Sequence, residues 1–272
     1  MQTRPFVVVG TPCFGGMLSQ TYVQSSFELI RYASVHGFDL DVILLGNDAL
    51  ITRGRNTIVS EFLKKPRATH LLFIDSDIKF RPEHVHRLLK ADKDLVAGLY
   101  PLKALDWNGA TTRPRENLET LEDLALRYVG TPCLPGEAEW DGPFVTGNYA
   151  GTGFMMIKRS LLERMIEAYP ELCYSGIHSY PMFKAAPATQ FALFDCMIEP
   201  KTKVYLSEDY AFCQRWRQLG GKIWLDTEGR LTHVGHHEYA GHPAQRFVPP
   251  AAVSAAPEIS DTGEVPRLQN VG

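Results

Sequence analysis

Short apolar runs alternate with longer amphipathic stretches along the first hundred residues of the chain. The short runs are bounded by turn residues, as buried strands are, whereas the longer stretches repeat apolar residues every three or four positions, as helices do. This pattern predicts strands at residues 6–9, 41–45, 70–74 and 95–99, and helices at residues 22–36, 57–63 and 82–90. The alternation predicts an α/β fold with a central, mainly parallel mixed sheet and helices on both faces.

The alternation fades from residue 103 to residue 149, where glycine, proline and charged residues accumulate, and again from 172 to 203. Between and after these irregular stretches it predicts strands at residues 154–157, 222–226 and 231–234, and helices at residues 160–169 and 207–219. Residues 248–272 lack periodicity and aromatic side chains, which predicts a mobile tail. We therefore expect one domain, residues 1–247, followed by that tail.

Ligands of open α/β sheets bind beyond the carboxyl ends of the strands. Three loops follow predicted strands here, namely TPCFGG at residues 11–16, the Asn47-Asp48 pair, and Asp75 to Asp77. We expect these loops to converge on one crevice.

Asp75 and Asp77 follow the apolar run LLFI and are separated by one residue. Alternation along an extended chain would place both carboxylates on one side, where they could hold a divalent cation such as Mg²⁺ or Mn²⁺. The alternative is that they cap the turn before the helix that begins near Pro82.

Arg53, Arg55 and Asn56 lie in the segment ITRGRN, at or just before a predicted helix start. Cations at a helix amino terminus suit a phosphate, and an asparagine can bind a base or ribose edge. The alternative is a solvated basic turn.

Gly151 and Gly153 lead into the predicted strand at residues 154–157. Glycine lets the backbone approach a ligand closely, although a bulge or a tight turn needs glycine as well. Either interpretation predicts that Gly153 resists replacement.

Glu208 and Asp209 follow Ser207 in the first turn of a predicted helix. A carboxylate mounted there could act as a general base for an acceptor hydroxyl. The helix dipole alone also favours acidic residues in a first turn, so a structural role stays open. We expect only one of the two to face the site.

His233 lies at the end of the last predicted strand. Imidazole binds Mn²⁺ alongside carboxylates, so His233 could complete a site begun by Asp77. A single histidine is also often a packed or capping residue. A zinc site has weak support, because no cysteine pair or helical His pair accompanies it.

Composition narrows the classes of function. The chain has 272 residues, 44% of them hydrophobic, and a net charge of −3, so no basic surface marks it as a nucleic-acid-binding protein. No apolar stretch is long enough for a signal peptide or a membrane span. Its five cysteines stand singly, which favours a reducing, cytoplasmic setting without structural zinc.

The ordered set of motifs resembles the GT-A family of nucleotide-sugar-dependent glycosyltransferases, especially its family 2-like members. The similarity covers most of residues 5–240. It rests on TPCFGG, GRN at residues 54–56, FIDSD at 73–77, GTGF at 151–154, SED at 207–209, CQRWRQLGGKIWLD and LTHVG. The GRN segment is also similar, more distantly, to Anp1-type mannosyltransferases.

This resemblance implies a GT-A type, Rossmann-like sandwich with acceptor-side excursions at residues 103–149 and 172–203. It implies that Asp77 and His233 bind Mn²⁺ or Mg²⁺ at the diphosphate, and that Asp75 contacts the metal or the ribose. The residues implied to hold the nucleotide are Thr11, Pro12, Arg55 and Asn56.

The catalytic base implied by the resemblance is Asp209, or failing that Glu208, in an inverting transfer. Two features depart from the family. The acidic residue that contacts the nucleobase in many members has only Asp48 as its counterpart, and the Anp1-type enzymes retain anomeric configuration.

We therefore expect a glycosyltransferase with a UDP- or GDP-type sugar donor and a glycan or small hydroxyl acceptor. A sugar nucleotidyltransferase is the nearest rival, although TPCFGGMLSQ lacks the basic residues that such enzymes carry after the first strand. A catalytically silent nucleotide- or sugar-binding protein is a further alternative. Nucleic acid is not an expected partner, and peripheral contact with a membrane stays open.

Overall fold

The computed structural model of the chain describes residues 4–112, 120–175 and 189–249. These residues form an α/β fold around a nine-stranded mixed sheet, as the sequence pattern predicts. From residue 250 onward the expected mobile tail lies outside the described residues, as do residues 176–188 of the second irregular stretch.

The helices and strands follow one another in close alternation through the described residues. The α-helices are α1 (Gln20–Val35), α2 (Ile51–Leu63), α3 (Pro82–Ala91), α4 (Trp107–Thr112), α5 (Leu121–Ala125), α6 (Arg159–Ala168) and α7 (Glu208–Gln218). Short 3-10 turns occupy Phe14–Gly16, Pro170–Leu172 and Pro243–Gln245. The strands are β1 (Phe6–Pro12), β2 (Asp39–Leu45), β3 (His70–Ile74), β4 (Ile78–Lys79), β5 (Leu95–Gly98), β6 (Tyr100–Leu105), β7 (Leu126–Val129), β8 (Thr131–Pro132), β9 (Trp140–Asp141), β10 (Phe144–Tyr149), β11 (Phe154–Lys158), β12 (Cys173–Tyr174), β13 (Gln190–Phe191), β14 (Met197–Ile198), β15 (Tyr205–Leu206), β16 (Ile223–Asp226), β17 (Thr232–Val234) and β18 (Glu238–Ala240).

The central sheet has the strand order β2-β1-β3-β11-β5-β16-β10-β8, with β9 also paired to β10. Strand β1 is parallel to both β2 and β3, and β5 is parallel to β16. Strands β11 and β10 run antiparallel to their neighbours. Because β3 lies between β1 and β11, its carboxyl end opens near the middle of the sheet edge.

Helices cover both faces of this sheet, and β3 shows how the two faces are filled. Leu71 and Phe73 pack into the cluster that includes side chains of α2, α6 and α7. Leu72 and Ile74 pack into the other cluster, with side chains of α1 and α3. Since neighbouring residues of a strand point to opposite faces, both sides of β3 are apolar and the strand reads as a continuous hydrophobic run.

Among the elements that differ from the sequence-based expectation are α2 and β10. Helix α2 begins at Ile51, six residues earlier than predicted, so Arg55 and Asn56 lie inside the helix rather than at its start. The segment ITRGRN is mostly polar and lacks apolar periodicity, so its sequence did not indicate that the helix begins there. Strand β10, inside the stretch expected to be irregular, pairs with β16 in the central sheet.

The backbone of Asp75 to Asp77 is fixed by three other parts of the fold. The N–H of Asp75 donates to the carbonyl of Gly153 at 3.0 Å, and the N–H of Ser19 donates to the carbonyl of Ser76 at 2.9 Å. The N–H of Val234 donates to the carbonyl of Asp77 at 2.8 Å. Ser76 and Asp77 form a turn and do not continue the strand, so the expected alternation along an extended chain does not apply to the two carboxylates.

All five cysteines are free thiols. None of the helices within the described ranges combines the length and the apolar character needed to cross a membrane.

Arg159, at the start of α6, fixes the connection that leads from α2 into β3. Its guanidinium donates hydrogen bonds to the carbonyls of Phe62 at 3.1 Å, Lys65 at 2.6 Å and Ala68 at 2.6 Å. Replacing Arg159 by Met should lower the free energy of unfolding by about 2–3 kcal/mol, because these bonds to a charged donor are lost. Urea unfolding measures the change.

The matched control is Arg31→Met on the exposed surface of α1, which should change the free energy of unfolding by less than about 0.5 kcal/mol. Equal stabilities of the two variants would contradict the role given to Arg159.

Candidate active site

A buried guanidinium links the turn after β3 to the start of α7. Arg55, only 3% exposed, donates to Asp75 Oδ1 at 3.0 Å and to Glu208 Oε1 at 3.3 Å. Arg55 comes from the second turn of α2, so three elements that are distant in sequence meet at one side chain. This contact places the two acidic motifs of the sequence in one site.

Burial alone would lower the pKa of Arg55, but the carboxylates of Asp75 and Glu208 more than offset it and raise that pKa. Arg55 is therefore a permanent cation. Among the atoms that the structure describes, its Nη1 is buried and has no hydrogen-bond partner. A buried donor without a partner costs free energy, so this atom is available to a ligand oxygen or to water.

Asp77 lies between two basic side chains. Its Oδ2 is 2.5 Å from the ammonium of Lys103, and its Oδ1 is 3.4 Å from His233 Nε2. Burial alone would raise the pKa of Asp77, but hydrogen bonds and charges from His233 and Lys103 lower it to about 2. Asp77 is therefore ionised throughout the neutral range.

The ring of His233 is oriented by a backbone carbonyl. Its Nδ1 lies 2.9 Å from the carbonyl oxygen of Pro101, which can only accept, so Nδ1 carries the hydrogen. This leaves Nε2 directed at Asp77. Ligating histidines commonly show this arrangement, with the other ring nitrogen bonded to a carbonyl.

The Asp77 and His233 pair fits a divalent cation. Two ligands about 2.1 Å from one ion and at right angles lie about 3.0 Å apart, close to the 3.4 Å between Oδ1 and Nε2. Within residues 4–112, 120–175 and 189–249, no group of three or more His, Cys, Asp or Glu side chains is arranged around a metal position. The pair alone would thus supply two protein ligands, and the remaining positions of an ion held there would be filled by water or phosphate oxygens.

Asp209 occupies the first turn of α7 beside Glu208. Its Oδ1 accepts hydrogen bonds from the Ser207 hydroxyl at 2.5 Å and from the Tyr210 N–H at 2.8 Å. Burial and the neighbouring charge of Glu208 raise the pKa of Asp209. A carboxyl group with a raised pKa, partly buried in an acidic site, can accept a proton from a hydroxyl group.

Tyr100 lies at the centre of this arrangement. The N–H of Gly153 donates to its hydroxyl at 3.1 Å, and its ring packs edge-on against His233 with centroids 5.5 Å apart. Burial, Asp75 and Asp209 raise the pKa of Tyr100 well above its ordinary value. Tyr100 is thus a neutral phenol at neutral pH.

The two glycines near β11 are explained by Tyr100. A Cβ at Gly151 would lie 2.3 Å from the Tyr100 hydroxyl, and a Cβ at Gly153 would lie 2.6 Å from Tyr100 Cζ. In the structure, the side chain of Tyr100 occupies the space beside these glycines, where a ligand was one of the two expectations. A role of Gly153 in binding the nucleotide stays a prediction.

Other residues predicted to bind nucleotide have protein partners. Thr11 is fully buried, and its hydroxyl is 2.6 Å from that of Tyr22. Pro12, at the end of β1, is half-buried. The side-chain oxygen of Asn56, 2% exposed, accepts the Phe194 N–H at 2.9 Å.

Arg53 makes two hydrogen bonds to Asp48, at 2.8 and 3.0 Å. Asp48, the expected counterpart of a base-binding acid, is thus held against α2. Arg53 also borders a groove whose lining includes Leu50, Thr52, Asn56, Tyr174 and Asp195.

Sequence reasoning missed Lys103 and Tyr100, which the structure places in the site. Both belong to β6, directly after the predicted strand at residues 95–99. Residues that follow a strand of such a sheet lie near its ligand-binding edge. The position of Tyr100 and Lys103 after a predicted strand was therefore the available signal in the sequence.

No protein-family model and no curated protein matches this chain. Among solved structures, it is similar to A197 from STIV, with a TM-score of 0.46 and 16% identity over 85% of this chain and 86% of that chain. It is similar to a glycosyltransferase involved in the glycosylation of the major capsid of PBCV-1, with a TM-score of 0.31 and 10% identity over 61% and 66% of the two chains. A Bacillus anthracis protein assigned as a glucose-1-phosphate thymidylyltransferase, crystallised with sucrose, gives a TM-score of 0.36 and 9% identity over 84% and 89%. Similarities at this level identify neither a family nor a function.

Replacing Gly153 by Ala should lower the free energy of unfolding by about 1–3 kcal/mol, because the new methyl group collides with Tyr100. The control is Gly136→Ala, whose Cβ would have no neighbour within 4 Å. Urea unfolding compares the two variants. Combining Gly153→Ala with Tyr100→Leu should cost less than the sum of the single changes, and strict additivity would contradict this packing.

Proposed function

We propose that this protein is a metal-dependent glycosyltransferase. It would move a sugar from a nucleotide-diphosphate sugar of the UDP or GDP type to a hydroxyl group of a glycan or a small molecule. One observation carries the proposal: Arg55 bridges Asp75 and Glu208, and so joins the turn that holds Asp77 to the helix start that holds Asp209. The proposed cation-binding pair and the proposed base would therefore share one site.

The donor side consists of Asp77 and His233, which would hold Mn²⁺ or Mg²⁺ together with oxygens of the donor diphosphate. Asp75, whose Oδ1 pairs with Arg55, would contact the ribose. Such an ion, when bound, offsets the negative charge that develops on the departing nucleoside diphosphate. The excess of carboxylates over cations among Asp75, Asp77, Glu208, Asp209, Arg55 and Lys103 favours cation binding at this edge of the sheet.

The acceptor side consists of Asp209. In the proposed reaction the acceptor oxygen attacks the anomeric carbon, the bond from that carbon to the diphosphate breaks, and Asp209 takes the hydroxyl proton. A raised pKa suits this role, because it brings the basicity of the carboxylate closer to what proton transfer at neutral pH requires. We favour inversion of the anomeric configuration, since one base and one direct displacement are sufficient.

The first test is a thermal-shift titration with UDP and GDP, each with and without Mn²⁺. A ligand that binds only the folded state raises the apparent stability by about 2.7 kcal/mol when its concentration is 100 times its Kd. We expect a manganese-dependent rise in Tm with one nucleotide in the wild type. The rise should be much smaller in Asp77→Asn, because a neutral amide is a far weaker ligand for the cation than a carboxylate.

The control is Asp41→Asn, a change in an exposed ion pair on β2, which should keep the response. A wild type whose Tm is unaffected by either nucleotide, with or without Mn²⁺, would refute the proposed donor site.

Replacing Asp209 by Asn should lower the transfer rate by about 10²–10⁴-fold while donor binding persists. In the wild type, kcat/KM should fall as the pH drops through the pKa of Asp209, which lies above that of an ordinary aspartate. Donor binding by calorimetry and transfer by product analysis measure the two effects. Full transfer activity in the variant would exclude Asp209 as the base.

The same substitution should increase stability at pH 7. Because the pKa of Asp209 is raised in the folded state, its ionised form is disfavoured by folding, and an amide removes that cost. The gain should vanish below pH about 4, where the carboxyl is protonated in both states. The control is Glu83→Gln, in the first turn of α3, which should instead be slightly destabilising because it weakens the interaction with the helix dipole and an exposed ion pair with Arg81.

A further inference from the structure

Lys103 pairs with one carboxylate oxygen of Asp77, Oδ2, while the other oxygen, Oδ1, faces His233. We propose that Lys103 is a displaceable counter-ion: it holds Asp77 in the free protein, and in the donor complex it releases Asp77 to the metal and binds a phosphate oxygen of the donor. This inference rests on the proposed function, because it assigns a further residue to the diphosphate side of the same site.

The two oxygens of Asp77 have different partners. Oδ2 is 2.5 Å from the ammonium of Lys103, whereas Oδ1 faces His233 Nε2 at 3.4 Å. A metal ion bound to Oδ1 and Nε2 would lie within a few ångströms of that ammonium. Two cations at such a separation repel each other strongly in a partly buried site, so binding of one weakens binding of the other.

Lys103 is able to move because only its stem is packed. It lies on β6, its side chain is 38% exposed, and its Cδ rests near Gly235, where an added Cβ would be 3.1 Å away. A lysine ammonium is a compact point charge on a flexible stem of four carbons. Rotation of the stem can therefore carry the charge from Asp77 to a neighbouring anion without any change in the backbone.

The donor supplies the anion that makes this movement favourable. A nucleoside diphosphate brings several phosphate oxygens, and an ammonium makes short, charge-assisted hydrogen bonds to them. Once Lys103 binds a phosphate, Asp77 loses its counter-ion and becomes the stronger ligand for the metal. Metal and nucleotide should consequently promote each other's binding, and by linkage the two effects must be equal.

The test compares Lys103→Met with Lys79→Met. Both variants lose one positive charge, but Lys79, on β4, pairs with Glu238 and does not contact Asp77. Calorimetry with Mn²⁺ alone, followed by UDP and GDP at saturating Mn²⁺, measures the two affinities for each protein. Circular dichroism verifies that both variants are folded.

We expect Lys103→Met to bind Mn²⁺ about tenfold more tightly than the wild type, and to bind the nucleotide about tenfold more weakly. The Lys79→Met variant should match the wild type in both. Unchanged affinity for either ligand in the Lys103 variant would overturn the proposal, as would equal effects in both variants.

Two other outcomes separate this inference from the proposed function. Nucleotide binding that needs no Mn²⁺ and disappears in the Lys103 variant would mean that the ammonium acts as a fixed cation, and displacement would be wrong. A wild type that binds neither UDP nor GDP under any condition would refute the proposed function itself, and with it the role of Lys103.

Discussion

The guanidinium of Arg55 is the constraint on which the site depends. A charge with 3% exposure is too costly to leave unpaired, so the folded chain must bring carboxylates to it. Asp75 comes from the turn after β3, and Glu208 comes from the start of α7. The two ion pairs of Arg55 therefore fix the distance between the turn after β3 and the start of α7. Hydrophobic packing alone would fix that distance less strictly.

The elements of the sheet were predictable because their sequences have a simple physical cause. Strand β3 is apolar on both faces, since it lies in the interior of the sheet, and its end is marked by the first charged residue after Ile74. Helix α7 is similarly marked by Ser207 before it and Gly220 after it. The meeting of Asp77 with His233 was expected from a resemblance, and their separation of 3.4 Å agrees with it.

The start of α2 and strand β10 could not be predicted in the same way. Their buried residues include polar side chains, which hydrophobic periodicity counts as exposed. Asn56 is buried because it bonds to the backbone of Phe194, and Thr146 of β10 is buried as well. A polar side chain such as that of Asn56 can be buried because it hydrogen-bonds to a group that is distant in sequence. A single sequence does not show which groups form such bonds.

Gly153 shows a different limit of the sequence. A glycine before a strand indicates that a side chain would not fit, but it does not say what occupies the space. The occupant here is Tyr100, whose hydroxyl also accepts the Gly153 N–H. Tyr100 in turn packs edge-on against His233, so the same side chain that excludes a Cβ at Gly153 also supports the imidazole.

The contacts of Arg55 distinguish the residues within each acidic motif. In each motif one carboxylate pairs with Arg55, and the proposed function gives the other, Asp77 or Asp209, a role in the reaction. The environments of these two then act in opposite directions: two basic neighbours lower the pKa of Asp77, whereas burial and Glu208 raise that of Asp209. A carboxylate that stays ionised is suited to bind a cation, and one that protonates more readily is suited to accept a proton. Under the proposed function, each motif would thus supply one residue that pairs with Arg55 and one that takes part in the reaction.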